Sequence, residues 1–105
     1  MNTVNILRAF ISNRYNSEDY PTLIYQSEKW RTEQPLKGLS ILDVTPVFAN
    51  TIAKYIPLLD AGAIVTVGVT EGRPMDDNIV NFLRSNGIEV VNPDCARDFD
   101  IVLDC

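Results

Sequence analysis

An α/β fold is what this sequence predicts, and three observations predict it. Short β-branched apolar runs alternate with amphipathic stretches of about a dozen residues. Glycine and proline stand at the junctions, where turns and helix ends need them. The 105 residues suffice for one hydrophobic core but not for two, so one domain over 1–105 is expected.

The elements follow in order. Val4, Leu7, Phe10 and Ile11 recur at spacings of three and four, which predicts a helix from Thr3, the expected cap, to Arg14. Residues 13–19 are a polar break. In the next stretch Tyr20, Leu23, Ile24, Ser27 and Trp30 share one helical face while Glu28, Lys29 and Arg31 point outward, and Pro35 ends it. Residues 37–44 hold a glycine turn and then a buried strand. Thr45-Pro46 has the pattern of an N-cap followed by a first-turn proline, so a helix is expected to open there. It carries Val47, Ile52, Ala53, Tyr55, Ile56 and Leu59, with a bend expected at Pro57 and a C-terminal cap at Gly62. Residues 63–69 are the second strand. Pro74 is expected in the first turn of a helix whose apolar face is Met75, Ile79, Phe82 and Leu83, and Asn86-Gly87 stops it. Residues 88–91 and 101–103 are two further short strands.

Strands joined by helices imply right-handed crossovers and a parallel sheet with helices on both faces. The expectation is a Rossmann-like or flavodoxin-like three-layer half-sheet of about four parallel strands. A helical segment at 1–34 precedes a sheet unit at 39–105. The chain stops two residues after its last strand, where one more crossover helix is expected, so it reads as a fragment of a longer protein.

Composition narrows the function. Nine basic against fourteen acidic residues give a net charge of −5, which repels nucleic acid and anionic membranes. Histidine is absent, which removes the commonest general base and metal ligand. Cys95 and Cys105 have neither disulfide-framework nor zinc spacing. No signal-like leader and no apolar run of about 18 residues is present, and a cytoplasmic protein is expected.

In open α/β sheets ligands bind beyond the carboxyl ends of the strands. That rim is built here from Asp43-Val44-Thr45, from residues 69–73, from Asn92-Pro93-Asp94 and from Asp104-Cys105. A dinucleotide needs a glycine-rich turn after the first strand; residues 42–48 hold no glycine, so no NAD site is expected. Each rim residue also has a plain structural use. Thr45 suits a helix cap, Asp43 suits backbone N–H groups nearby, and Glu71, Asp76 and Asp77 with Arg73 suit a helix start. Cys95 has only Arg97 close in sequence to activate it. A phosphoacceptor domain needs several acids beside a lysine at strand ends, whereas Asp43 stands alone in the sequence with no lysine on the rim.

Pro35-Leu36-Lys37-Gly38 carries a resemblance to a known family. The tetrapeptide is similar to the one preceding the first strand of the substrate domain in S-adenosylhomocysteine hydrolases. Tyr20-Pro21-Thr22-Leu23 through Glu33 resembles the helix upstream of it, and Thr51, Leu58, Gly62-Ala63, Val65, Asp77, Gly87-Ile88 and Val90 keep the family's spacing. The likeness covers residues 20–91. It implies a parent activity, the NAD-dependent cleavage of S-adenosylhomocysteine to adenosine and homocysteine in one-carbon metabolism. By resemblance, substrate contacts fall on Thr45, Asn50, Thr51 and Asp77. The departures lie in the same place: Pro46 replaces a histidine, Phe48 a threonine and Asn50 a glutamine or glutamate. Of the Asn-x-x-Ser-Thr-Gln-Asp stretch, residues 71–77 keep only the final aspartate. With the catalytic acids, the lysine and the NAD domain also missing, the chain is expected to be catalytically incompetent alone, because a positioned proton-transfer group is worth about 10² to 10⁴ in rate. Two functions follow as expectations. One is an N-terminal substrate-domain fragment that meets an adenosine-type ligand and a missing C-terminal domain. The other is a stand-alone module that dimerises through the edge at residues 101–103.

Overall fold

The computed structural model describes residues 2–19, 21–70, 72–94 and 98–103, except the side chain of Ser17. The order is α1 (Thr3–Arg14), α2 (Pro21–Glu33), β1 (Ser40–Asp43), α3 (Ile52–Asp60), β2 (Ile64–Gly68), α4 (Asp77–Ser85), β3 (Glu89–Val91) and β4 (Ile101–Leu103), with 3₁₀ turns at Ser17–Asp19 and Ala49–Thr51. The four strands form one parallel sheet in the order β3-β2-β1-β4 behind two N-terminal helices, as the alternating pattern predicts. Tyr20, the first residue of the expected second helix, lies outside the described residues, as do Glu71, Cys95, Arg97, Asp104 and Cys105.

Side chains alternate across a strand, so Ile41 and Asp43 of β1 share one face with their partners Val65 and Val67 of β2. That face meets the helices. Ile41, Val65 and Val67 belong to one buried cluster with Leu7 and Ile11 of α1, Ile52, Tyr55 and Ile56 of α3, and Ile79, Val80 and Leu83 of α4. The rings of Phe10 and Phe82 stack 4.8 Å apart and join α1 to α4, while α2 packs against α3. The second face differs from the expected helical layer. The strand order sends the chain from the β3 edge to the β4 edge, and residues 92–100 make that crossing without a helix among the described residues. Pro93 approaches Gly68 on this face, so closely that a Cβ on Gly68 would lie 3.2 Å from the proline ring. Asp100 closes the crossing by accepting from Ser40 N and Oγ at 2.8 and 3.1 Å.

The helix ends follow two patterns. α3 finishes at Gly62, φ +92°, where Gly62 N donates to Leu59 O and Ala63 N to Leu58 O, the paired bonds of a Schellman motif. α4 finishes at Gly87 in the same way, through Leu83 and Arg84. The N-terminal caps differ from those expected. Asn2, not Thr3, caps α1 by accepting from Asn5 N, and Thr3 Oγ1 instead donates to Asn86 O at 2.8 Å. Pro74 stands outside α4, whose cap is Asp76, accepting from Asn78 and Ile79 N–H. A carboxylate satisfies orphan N–H groups and suits the positive end of the helix dipole, so it wins over a proline that merely tolerates the position. Among the described residues, no helix is long and apolar enough to cross a membrane.

Candidate functional site

β1 is flanked by β2 on one side and β4 on the other, so strand order reverses at β1. The carboxyl end of β1 is therefore the topological switch point, where open α/β sheets hold their ligands. Asp43 ends β1 there, fully buried, paired with Val67 of β2 and Leu103 of β4.

Its carboxylate organises the surrounding chain. Oδ1 accepts from the N–H of Thr45 at 2.9 Å and from the Thr45 hydroxyl. Oδ2 lies 3.0 Å from the ammonium of Lys54 but takes no aligned hydrogen bond. Lys54 Nζ donates in turn to Thr45 Oγ1 at 2.7 Å. A carboxylate withdrawn from water is costly unless paired, and this one is held by one ammonium, one hydroxyl and one backbone N–H. Contrary to the expectation from sequence, a lysine does reach the rim beside Asp43. Lys54 escapes a reading of the rim because it comes from α3, eleven residues on; its signal is that it is the only charge among the apolar residues 52–59.

The same carboxylate explains why Thr45-Pro46 does not open a helix. Thr45 gives both its N–H and its hydroxyl to Asp43 while its oxygen accepts from Lys54, which closes a local turn and holds the side chain toward the strand end and not toward a helix N-terminus. Val47 O accepts from Asp76 N at 2.8 Å, tying this loop to the start of α4. The helix begins only at Ile52, after the 3₁₀ turn. Thr51 fixes that entry, its hydroxyl accepting from Phe48 N at 3.2 Å and donating to Pro46 O at 2.9 Å.

Of the four residues expected to touch substrate, Thr45 belongs to the Asp43 cluster and Thr51 holds the loop beside it. Asn50 is exposed on the 3₁₀ turn, with no side-chain hydrogen bond among the described residues. Asp77 is exposed in the first turn of α4, which the Val47–Asp76 bond brings alongside the same loop. The concavity between Val44, Pro46, Gly68 and Arg73 is only about 10 Å³, room for about one water. No group of three or more metal-ligating side chains is present among the described residues.

Tyr55 lies under the site, fully buried, and its hydroxyl has no protein partner among the described residues. Burial first, and the negative charge of Asp43 second, push its ionisation well above the ordinary tyrosine value of 10.0. The folded state therefore holds a proton that the unfolded chain sheds from about pH 10 upward, so this tyrosine's stabilising contribution is full below that pH and is lost as pH rises beyond it. Tyr55→Phe is expected to change stability near pH 7 by no more than about 1 kcal/mol, since the hydroxyl is unpaired, and to shift alkaline unfolding to higher pH. Circular dichroism of both proteins between about pH 7 and 12 checks this; identical alkaline midpoints would mean that Tyr55 ionises without strain.

In comparisons with known proteins the chain matches no family model and no curated sequence, so its relationships rest on the residues themselves.

Proposed function

We propose that this chain is the N-terminal part of an adenosylhomocysteinase-like substrate domain, a cytoplasmic scaffold that carries nucleoside contacts but turns over no substrate alone. One coincidence supports it. The polar cluster at the switch point of the sheet includes Thr45, the first residue of the segment Thr45 to Thr51 to which the resemblance assigns nucleoside contacts. Thr45, Asn50, Thr51 and Asp77 are the proposed ligand contacts. Asp43 is buried and reaches no ligand; it is a positioning residue that orients Thr45 and Lys54.

The parent chemistry needs NAD, and the residues present do not fit that group. A dinucleotide pyrophosphate requires close backbone approach and a helix N-terminus directly after β1. Here residues 44–48 are irregular, a 3₁₀ turn follows, and α3 starts nine residues after Asp43. A concavity of about 10 Å³ takes a nucleoside only with movement of the 46–51 loop.

A second reading, a dimerisation module, is favoured by one observation. Ile64 and Val102 are 61% and 59% exposed on the sheet face that carries no helix among the described residues, and β4 is an edge strand. Titration of the ¹⁵N-labelled chain with adenosine, with light scattering on the same sample, separates the readings. Weak saturable shifts confined to Thr45, Asn50, Thr51 and Asp77, lost in Asn50→Ala, are expected for the first. No shifts there, together with a dimer, would transfer the case to the second.

A further inference from the structure

A second concavity lies away from the sheet rim, in the cleft where α1, α2 and α3 meet. It measures about 270 Å³, just below the range of about 300–1,000 Å³ usual for small-molecule sites, and more than an order of magnitude above the rim concavity. Its floor is apolar: Ile11 and Ile56 are buried, and Ile24 is half-buried.

The polar groups around it are placed unequally. Ser27 lines the wall and is only 5% exposed. Arg8 is committed to Asp60 through two hydrogen bonds of 3.0 and 3.1 Å. Arg31 is held to the same carboxylate only by a longer ion pair, its nearest nitrogen 3.8 Å from Asp60 and beyond hydrogen-bond reach, and its side chain is largely exposed. Glu28, one helical turn before Arg31, lines the same cleft. An apolar floor thus carries a guanidinium and a carboxylate on neighbouring turns of α2 among its lining residues.

The geometry points to this cleft as a binding site for a small zwitterion, a free α-amino acid with an apolar side chain. Arg31 takes the α-carboxylate with its planar fork, Glu28 takes the α-ammonium, and the side chain fills the space between Ile11, Ile24 and Ile56. Size and charge select this class together. A carboxylate without an ammonium leaves Glu28 facing an anion, and an amine without a carboxylate leaves Arg31 with only its long ion pair to Asp60. The cleft shares no lining residue with the proposed nucleoside contacts, so this site is independent of the nucleoside reading above and stands or falls by itself.

The test is titration of the ¹⁵N-labelled 105-residue chain with L-leucine, L-methionine and L-phenylalanine, with 4-methylpentanoate and adenosine alongside. Saturable shifts at residues 23–31 and 53–56 are expected with at least one amino acid, in the millimolar range or tighter. Arg31→Gln, an exposed substitution that leaves the core untouched, weakens that amino acid by at least about tenfold, the worth of a charge-assisted hydrogen bond. Glu28→Gln weakens the amino acid but not 4-methylpentanoate. The proposal is overturned if none of the three amino acids shifts these residues, if Arg31→Gln binds as wild type does, or if 4-methylpentanoate binds as tightly as leucine. Adenosine shifting the same residues would overturn it as well.

Discussion

Lys54→Met is expected to destabilise the fold by about 3–5 kcal/mol, the usual consequence of leaving a buried charge without its partner. Methionine keeps much of the packing of the lysine stem and removes the ammonium. Asp43 then remains fully buried at the end of β1 with Oδ2 facing no cation, because Lys54 is the only cation paired with it among the described residues. Against a total stability of about 5–15 kcal/mol for a domain of this kind, that loss brings the protein close to unfolding. Urea denaturation of wild type, Lys54→Met and the double variant Asp43→Asn/Lys54→Met checks it. Neutralising both partners is expected to recover at least half of the loss. A single variant that costs less than about 1 kcal/mol would show that water reaches Asp43 and that the cluster is not an anchor.

Gly62→Ala is the second large effect, and its cause is backbone geometry. Gly62 has φ +92°, which an L side chain adopts at a cost of about 1–2 kcal/mol. A Cβ there would also stand 2.8 Å from the Cα of Lys37, and backbone cannot swing aside as a side chain does. The contact is close because α3 is clamped at this end: Leu36 N donates to Ala61 O at 3.0 Å and Gly38 N to Gly62 O at 3.1 Å. Overpacking of this kind adds about 1–3 kcal/mol, so a total of about 2–5 kcal/mol is expected. Gly72→Ala supplies the control. Gly72 has φ +87° but nothing within 4 Å of where an added methyl would stand, and only the conformational part, about 1–2 kcal/mol, applies. Equal losses at the two positions, measured by urea denaturation, would mean that the segment at Lys37 moves away freely.

The two variants act on different sides of what the sequence reveals. The importance of Gly62 is readable in one dimension, since a glycine after an apolar helical stretch marks a left-handed C-terminal cap. That of Lys54 is not. Nothing in residues 52–60 says that the one basic residue among apolar neighbours turns toward a carboxylate eleven positions earlier; only the packing of α3 over the end of β1 makes them meet.

Local signals determined the element order here, because hydrophobic period and glycine or proline punctuation are properties of a dozen neighbouring residues. From them came the strands of a parallel sheet, the two leading helices and the helix ends at Gly62 and Gly87. The tertiary structure alone decided what each polar residue does. Thr45 matched a cap but became a partner of Asp43, because a buried carboxylate needs donors and Thr45 supplies two, while helix N–H groups can be satisfied by water or a 3₁₀ turn. Strand order was likewise beyond local reading. It placed β4 beside β1, made the end of β1 the switch point, and left the second sheet face to the 92–100 crossing. Pairing between residues some 60 positions apart, as between Ile41 and Ile101, depends on which buried surfaces fit together in space, and that is not written in any short stretch of chain.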